Sequence, residues 1–131
     1  RQVARAARAN GITEAMLGPW MKSPLLAASL STSAVRERVV EMIRDFPGAD
    51  YLATARDSVA REWTVPERLG EVSVPTTVVV GEREMDGFRA FADEAVAGIP
   101  DARKVVVPGS GHLLPLEAPD VIGDLVVDHF R

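Results

Sequence analysis

The chain has 131 residues, of which 47% are hydrophobic, and 15 basic and 19 acidic residues give it a formal net charge of −4. This length suits one modest hydrophobic core, and the absence of any dense run of Lys or Arg argues against a nucleic-acid partner. Cysteine is absent, which excludes disulfides, zinc ribbons and thiol catalysis and fits a reducing, cytoplasmic location. No apolar run is long enough to span a bilayer, so we expect no membrane partner.

The first part of the chain, residues 1–66, has helical periodicity almost throughout. Short helices are predicted up to Asn10-Gly11 and from Thr13 toward Trp20. A longer helix is predicted from Ser33, whose hydroxyl can cap it, to Pro47-Gly48. Its apolar residues recur at helical spacing: Val35, Val39, Met42, Ile43 and Phe46. A fourth helix is predicted over residues 49–62.

Residues 67–131 alternate strands and helices. The run SVPTTVVVGE predicts a fully buried strand that ends at Gly81, and Lys104 to Val107 predicts a second strand. A helix is expected between them, and another begins at Pro119, since proline suits the first helical position. The apolar stripes of these helices are Phe88, Phe91, Ala92, Ala95 and Ile99, and Val121, Ile122, Leu125, Val126 and Phe130. This order predicts an α/β fold: the C-terminal portion of a doubly wound, mostly parallel sheet, preceded by a helical segment.

Two polar loops follow the predicted strands, GEREMDGF after the first and PGSGHLLP after the second. Ligands gather at the carboxyl ends of parallel strands, and both loops leave the same edge of the sheet. A carboxylate of the first loop can therefore reach the imidazole of His112, with Glu84 and Asp86 as candidates and Glu82 expected at the surface. A carboxylate bonded to one ring nitrogen fixes the tautomer and leaves the other nitrogen to act as a general base.

The segment VPTTVVVGERE, followed by a helix and then VVVPGSGHLLPLEAPD, resembles the C-terminal part of the α/β-hydrolase fold family over residues 74–131. The helical segment before it resembles the rear of that family's lid, or cap. The resemblance implies that His112 is the catalytic histidine and that Glu84 is the acid, where most relatives carry Asp, with Asp86 ranked second. Glutamate is an accepted triad acid. No cofactor or metal is implied, because His and carboxylates do not cluster at ligand spacing.

The nucleophile of such a triad is not evident in the chain, which contains no G-x-S-x-G elbow. Ser110 lies two residues from His112, too close on one turn to align with it, and is predicted to be a turn residue. In the family, the nucleophile and the oxyanion-hole amides lie upstream of the lid. We therefore expect a fragment that is inactive alone. Its open sheet edge and apolar face would dock on the N-terminal half of the same protein or on a second copy of the chain.

The function implied by the resemblance is hydrolysis of a small apolar ester or lactone. One alternative is an upstream Asp nucleophile acting on epoxides or haloalkanes, and a partner that supplies the serine to a half-subunit is another. A third is a non-catalytic binding relative, which the Glu at position 84 favours. Trp20, Trp63 and Leu113 are candidate substrate-binding residues, because large apolar residues line hydrophobic pockets, although both tryptophans could instead pack within the helical layer. His129 is predicted to be solvated at the end of the last helix.

Overall fold

The computed structural model describes residues 12–46 and 65–131. It divides the chain into two compact units, Arg1–Val59 and Ala60–Arg131. The helices predicted before Asn10 and over residues 49–62, and the candidate Trp63, lie outside the described residues. Among the described helices, none has the length and apolar character needed to cross a membrane.

The first unit contains two described α-helices. Helix α1 spans Ile12–Met21 with Pro19 inside it, and α2 spans Ser33–Asp45. Two 3-10 turns connect them, Pro24–Leu26 and Ser29–Ser31. The buried apolar side chains of these elements are Leu26, Leu30, Val35, Val39 and Ile43.

Helix α2 differs from its sequence prediction at its N-terminus. Thr32 occupies the cap position without a side-chain bond, so Ser33 is the first helical residue rather than the cap. The Arg36 guanidinium donates to the carbonyl of Leu30 just before the helix, at 2.7 and 3.1 Å. Met42 and Phe46, which share the helical spacing of the buried residues, are exposed. Helical spacing therefore located the apolar stripe but did not show how much of it is buried.

The second unit has the predicted order of strands and helices. Helix α3 (Val65–Arg68) and a 3-10 turn precede strand β1 (Thr76–Gly81), helix α4 (Asp86–Gly98), strand β2 (Ala102–Val107), helix α5 (Leu114–Glu117) and helix α6 (Pro119–His129). Strands β1 and β2 are parallel, with a register that runs from Thr76 opposite Ala102 to Gly81 opposite Val107. The α/β class with parallel strands is thus confirmed. The doubly wound sheet stays a prediction, because the described residues of this unit contain two strands.

Fewer residues of the second unit are buried than the sequence predicts. In β1 only Val80 and Gly81 are buried, although the whole strand was expected to be. In α4 the small Ala92 is buried, whereas Phe88 and Phe91 are 41% and 64% exposed. On α6, three members of the predicted stripe are exposed, namely Val121, Val126 and Phe130. The described residues thus cover only part of each apolar face, and the expectation that β1 is fully buried is wrong for them.

The environment of His129 corrects another expectation. Its Nδ1 atom lies 3.0 Å from the hydroxyl of Thr77, which also accepts a bond of 3.1 Å from Arg103 Nε. The imidazole is half-buried and lines a pocket of about 170 Å³ between β1 and α6. His129 thus ties the last helix to the first strand and is not a solvated helix end. Its neighbour Asp128 does form an exposed ion pair with Arg131.

Gly81 determines how the two strands end. A Cβ atom placed on Gly81 would lie 2.8 Å from the carbonyl carbon of Ser110 and would overlap the carbonyl oxygens of Ser110 and Gly111. The loop after β2 therefore passes directly over the end of β1. Two backbone hydrogen bonds hold it there, from Glu82 N–H to the carbonyl of Val107 at 3.0 Å and from Arg83 N–H to that of Ser110 at 2.8 Å.

This close approach predicts that Gly81→Ala destabilises the chain by about 1–3 kcal/mol, because the added methyl group must displace backbone. Gly123→Ala is the matched control: a Cβ there meets nothing within 4 Å, and replacing a mid-helix glycine is expected to stabilise by about 0.5–1 kcal/mol. Urea unfolding measures both free energies. Equal stability of Gly81→Ala and the wild type would contradict the packing described.

Candidate active site

The acid loop, residues 82–85, joins β1 to α4. A tight turn forms at its start, where Glu84 N–H donates to the carbonyl of Gly81 at 3.2 Å. The Glu84 side chain folds toward the helix, and its Oε1 atom accepts the Met85 N–H at 2.8 Å. The carboxylate consequently lies at the N-terminus of α4, where unpaired backbone N–H groups and the helix dipole favour a negative charge.

The histidine loop, residues 108–113, joins β2 to α5. Gly109 has a φ of 67°, which glycine adopts without the strain that other residues suffer. Ser110 is buried, and its hydroxyl lies 3.5 Å from the carbonyl of Pro108 within the same turn. That position agrees with the predicted role of Ser110 as a turn residue.

The two loops bring His112 and Glu84 into contact. His112 Nδ1 lies 2.6 Å from Glu84 Oε2, and their side chains are 28% and 7% exposed. Since a carboxylate oxygen only accepts, Nδ1 carries the proton, and in the neutral ring Nε2 then has the lone pair. A short bond between a nearly buried carboxylate and an imidazole also stabilises the imidazolium when the ring takes a second proton. The pair has the geometry in which a carboxylate orients an imidazole and leaves Nε2 to accept a proton.

The remaining predicted site residues have different positions. Asp86 is the first residue of α4 and its side chain is exposed, so the bond to His112 comes from Glu84. Leu113 follows His112 and is half-buried. Trp20 is exposed on α1 in the first unit, and Trp63 lies outside the described residues. Within residues 12–46 and 65–131, no three metal-binding side chains come together, and we assign no metal ligand.

Phe88, a member of the predicted apolar stripe of α4, is a neighbour of His112. Its ring centroid lies 5.1 Å from that of His112, with the planes tilted by 60°. Phe91 contacts Phe88 edge-on at 6.1 Å. The signal that could have located Phe88 is its place in the first turn of the helix that follows the acid loop.

Two further glutamates bind the histidine loop. Glu82, expected at the surface, is exposed, but its Oε2 atom accepts the Gly109 N–H at 2.7 Å. Glu117, at the end of α5, accepts the N–H groups of Gly111 and Leu113 at 2.7 and 2.9 Å. No role was predicted for Glu117, because α5 is a single turn without periodicity.

Comparison with known proteins supports the fold. No family model matches the chain, and neither does any curated protein. Among solved structures, that of MenH from S. aureus, an α/β-hydrolase-fold protein, is similar with a TM-score of 0.67 and 20% identity over 97% of this chain. The chain spans 48% of that protein, about half its length. This likeness shows the fold alone: the chain has the fold of part of an α/β-hydrolase-fold protein, as the sequence resemblance implied.

The contact between Glu84 and His112 predicts a measurable coupling. Glu84→Gln is expected to lower the free energy of unfolding by about 1–3 kcal/mol, because the amide cannot accept from both Met85 and His112. Glu94→Gln, the same change at an exposed position of α4, is expected to stay within about 0.5 kcal/mol. A double-mutant cycle with His112→Ala should give a coupling energy of about 0.5–3 kcal/mol. Additive effects would contradict the contact.

Proposed function

We propose that this chain supplies the acid and the base of a nucleophile–acid–histidine triad in an α/β-fold hydrolase that cleaves small apolar esters or lactones. The observation that carries the proposal is the 2.6 Å bond between Glu84 and His112, at the carboxyl ends of two adjacent parallel strands. Catalytic groups collect at this edge of open α/β sheets.

In the proposed mechanism His112 moves the proton and Glu84 holds the ring. A nucleophile hydroxyl near Nε2 gives its proton to the imidazole as it attacks the substrate carbonyl. The imidazolium, stabilised by the Glu84 carboxylate, then protonates the departing alkoxide. In the second half of the reaction the ring takes a proton from water as the water attacks the acyl intermediate. The imidazolium then returns this proton to the nucleophile oxygen, as its bond to the acyl carbon breaks and the carboxylic acid leaves. Glu84 keeps its hydrogen bond to Nδ1 throughout.

The nucleophile in this proposal comes from outside these 131 residues. The chain contains no G-x-S-x-G elbow, and the Ser110 hydroxyl is buried against its own turn. The N-terminal half of a longer polypeptide is the proposed source, and residues 1–66 are proposed to belong to its cap. The match to about half of a solved α/β-hydrolase-fold protein supports this arrangement.

The preference for an apolar substrate is supported by the surface beside His112. Phe88 contacts the imidazole and is 41% exposed, and Phe91 extends the same aromatic surface. Exposed aromatic side chains next to a proton-transfer group favour an apolar acyl or alkyl group over a charged one.

The proposal predicts a large loss of turnover on removal of the base. In the natural polypeptide that contains this chain, His112→Ala should lower kcat on p-nitrophenyl esters by about 10²–10⁴-fold, while the control Glu94→Gln stays near wild type. A loss of less than tenfold would contradict the role of His112.

A fluorophosphonate probe tests the source of the nucleophile in the same polypeptide. It should label a serine outside these 131 residues, and labelling of Ser110 would contradict the proposal. Turnover of an epoxide or a haloalkane, together with an alkylated aspartate, would instead identify an Asp as the nucleophile. Ligand binding without any turnover would identify a non-catalytic binding protein.

The aromatic surface predicts a change in substrate preference. Phe88→Asn should lower the ratio of kcat/KM for a hexanoate ester to that for an acetate ester by about tenfold, since each buried methylene contributes roughly 0.8 kcal/mol. Phe88→Leu keeps an apolar side chain and should leave the ratio within about threefold. Because the ratio is internal to each variant, a partly unfolded sample does not change it. An unchanged ratio in Phe88→Asn would contradict the contact with substrate.

A further inference from the structure

The carboxylate of Glu117 accepts hydrogen bonds from the backbone on both sides of His112. Glu117 Oε2 accepts the N–H of Gly111 at 2.7 Å, and Glu117 Oε1 accepts the N–H of Leu113 at 2.9 Å. These two residues are the neighbours of His112 in the chain. Each oxygen of the carboxylate thus holds one flank of the histidine.

The short helix α5 brings Glu117 to this position. Its cap residue is Leu113, whose carbonyl accepts the N–H groups of Leu116 and Glu117 at 2.8 and 3.0 Å. The single turn folds the chain back, so that the Glu117 side chain returns to the residues just before the helix. A short segment that the sequence pattern did not predict therefore places a carboxylate over the histidine loop.

We infer that Glu117 is a positioning residue for His112, acting through its bridge between Gly111 and Leu113. The inference rests on the proposed function in so far as it concerns catalysis. The loop has glycines at 109 and 111, and glycine backbone is permissive. A bridge across His112 limits the conformations from which the ring can reach Glu84.

The bridge depends on both oxygens of one carboxylate. Both of its oxygens accept, so Glu117 can take two N–H groups at once, whereas a glutamine in the same place offers one acceptor and one donor. Hydrogen bonds from N–H groups to an ionised acceptor are shorter and stronger than neutral ones. Glu82 binds the same loop, but at Gly109, three residues before His112. Glu117 is the carboxylate that acts on both neighbours of the histidine.

The kinetic test uses Glu117→Gln and Glu117→Ala in the natural polypeptide that contains this chain, with Glu94→Gln as the control. A misplacement of the catalytic group by 1 Å can lower the rate about 10²-fold. We expect kcat on a p-nitrophenyl ester to fall by about 10–10²-fold, more for Ala than for Gln, with KM within about threefold of wild type.

A second measurement separates positioning from general damage to the fold. Nitrogen-15 correlation spectra of the His112 ring, assigned by comparison with His112→Gln, report which ring nitrogen carries the proton. The wild type and Glu94→Gln should show the Nδ1–H form, and Glu117→Ala should show a mixture of both tautomers. If Glu117→Ala does not fold, Glu117→Gln gives the same measurement with a smaller change.

The outcomes of these two measurements distinguish a failure of this inference from a failure of the proposed function. Tautomer mixing in the Glu117 variants of a protein without ester turnover would support the positioning role while the proposed function fails. Wild-type kcat together with a wild-type tautomer in both variants would overturn the inference and leave the proposed function intact. A lower kcat with an unchanged tautomer would also overturn it, because Glu117 would then act by another route.

Discussion

The candidate site depends on the approach of the Gly81 backbone to the carbonyl groups of Ser110 and Gly111. No side chain fits between these segments at position 81. The backbone bonds from Glu82 and Arg83 continue the pairing of the strands into their loops. Both loops therefore leave the sheet at one point, and this is why Glu84 and His112, which are 28 residues apart in sequence, can share a hydrogen bond.

Close to Gly81, three glutamates bind the glycine-rich histidine loop. Glu84 binds the imidazole itself, whereas Glu82 and Glu117 bind backbone N–H groups on either side of it. Two of these carboxylates, Glu82 and Glu84, come from the acid loop, and the third, Glu117, comes from α5. Charge-assisted bonds of this kind can compensate for the flexibility of a loop that lacks regular secondary structure.

The sequence predicted those features that depend on local pattern. Runs of β-branched residues identified both strands, and the loops at their ends pointed to His112 and to Glu84 or Asp86. The family resemblance ranked Glu84 first. Features that depend on distant contacts were not predictable. His129 forms a hydrogen bond with Thr77, which lies 52 residues away in sequence. Helical spacing also cannot show which residues of the apolar stripe that contains Phe88 are covered by other parts of the protein. Helix α5 has four residues, too few for any periodicity, so the hydrogen bonds that Glu117 accepts from the histidine loop could be found only from the structure.

The proposed chemistry depends on one contact, in which a carboxylate of the acid loop meets the imidazole of the histidine loop at the carboxyl ends of neighbouring strands. A crystal structure of the natural polypeptide that contains this chain measures that contact. We expect a separation of about 3.2 Å or less between His112 Nδ1 and a carboxylate oxygen of Glu84. A separation beyond about 4 Å, or a bond from Nδ1 to another acceptor, would contradict it.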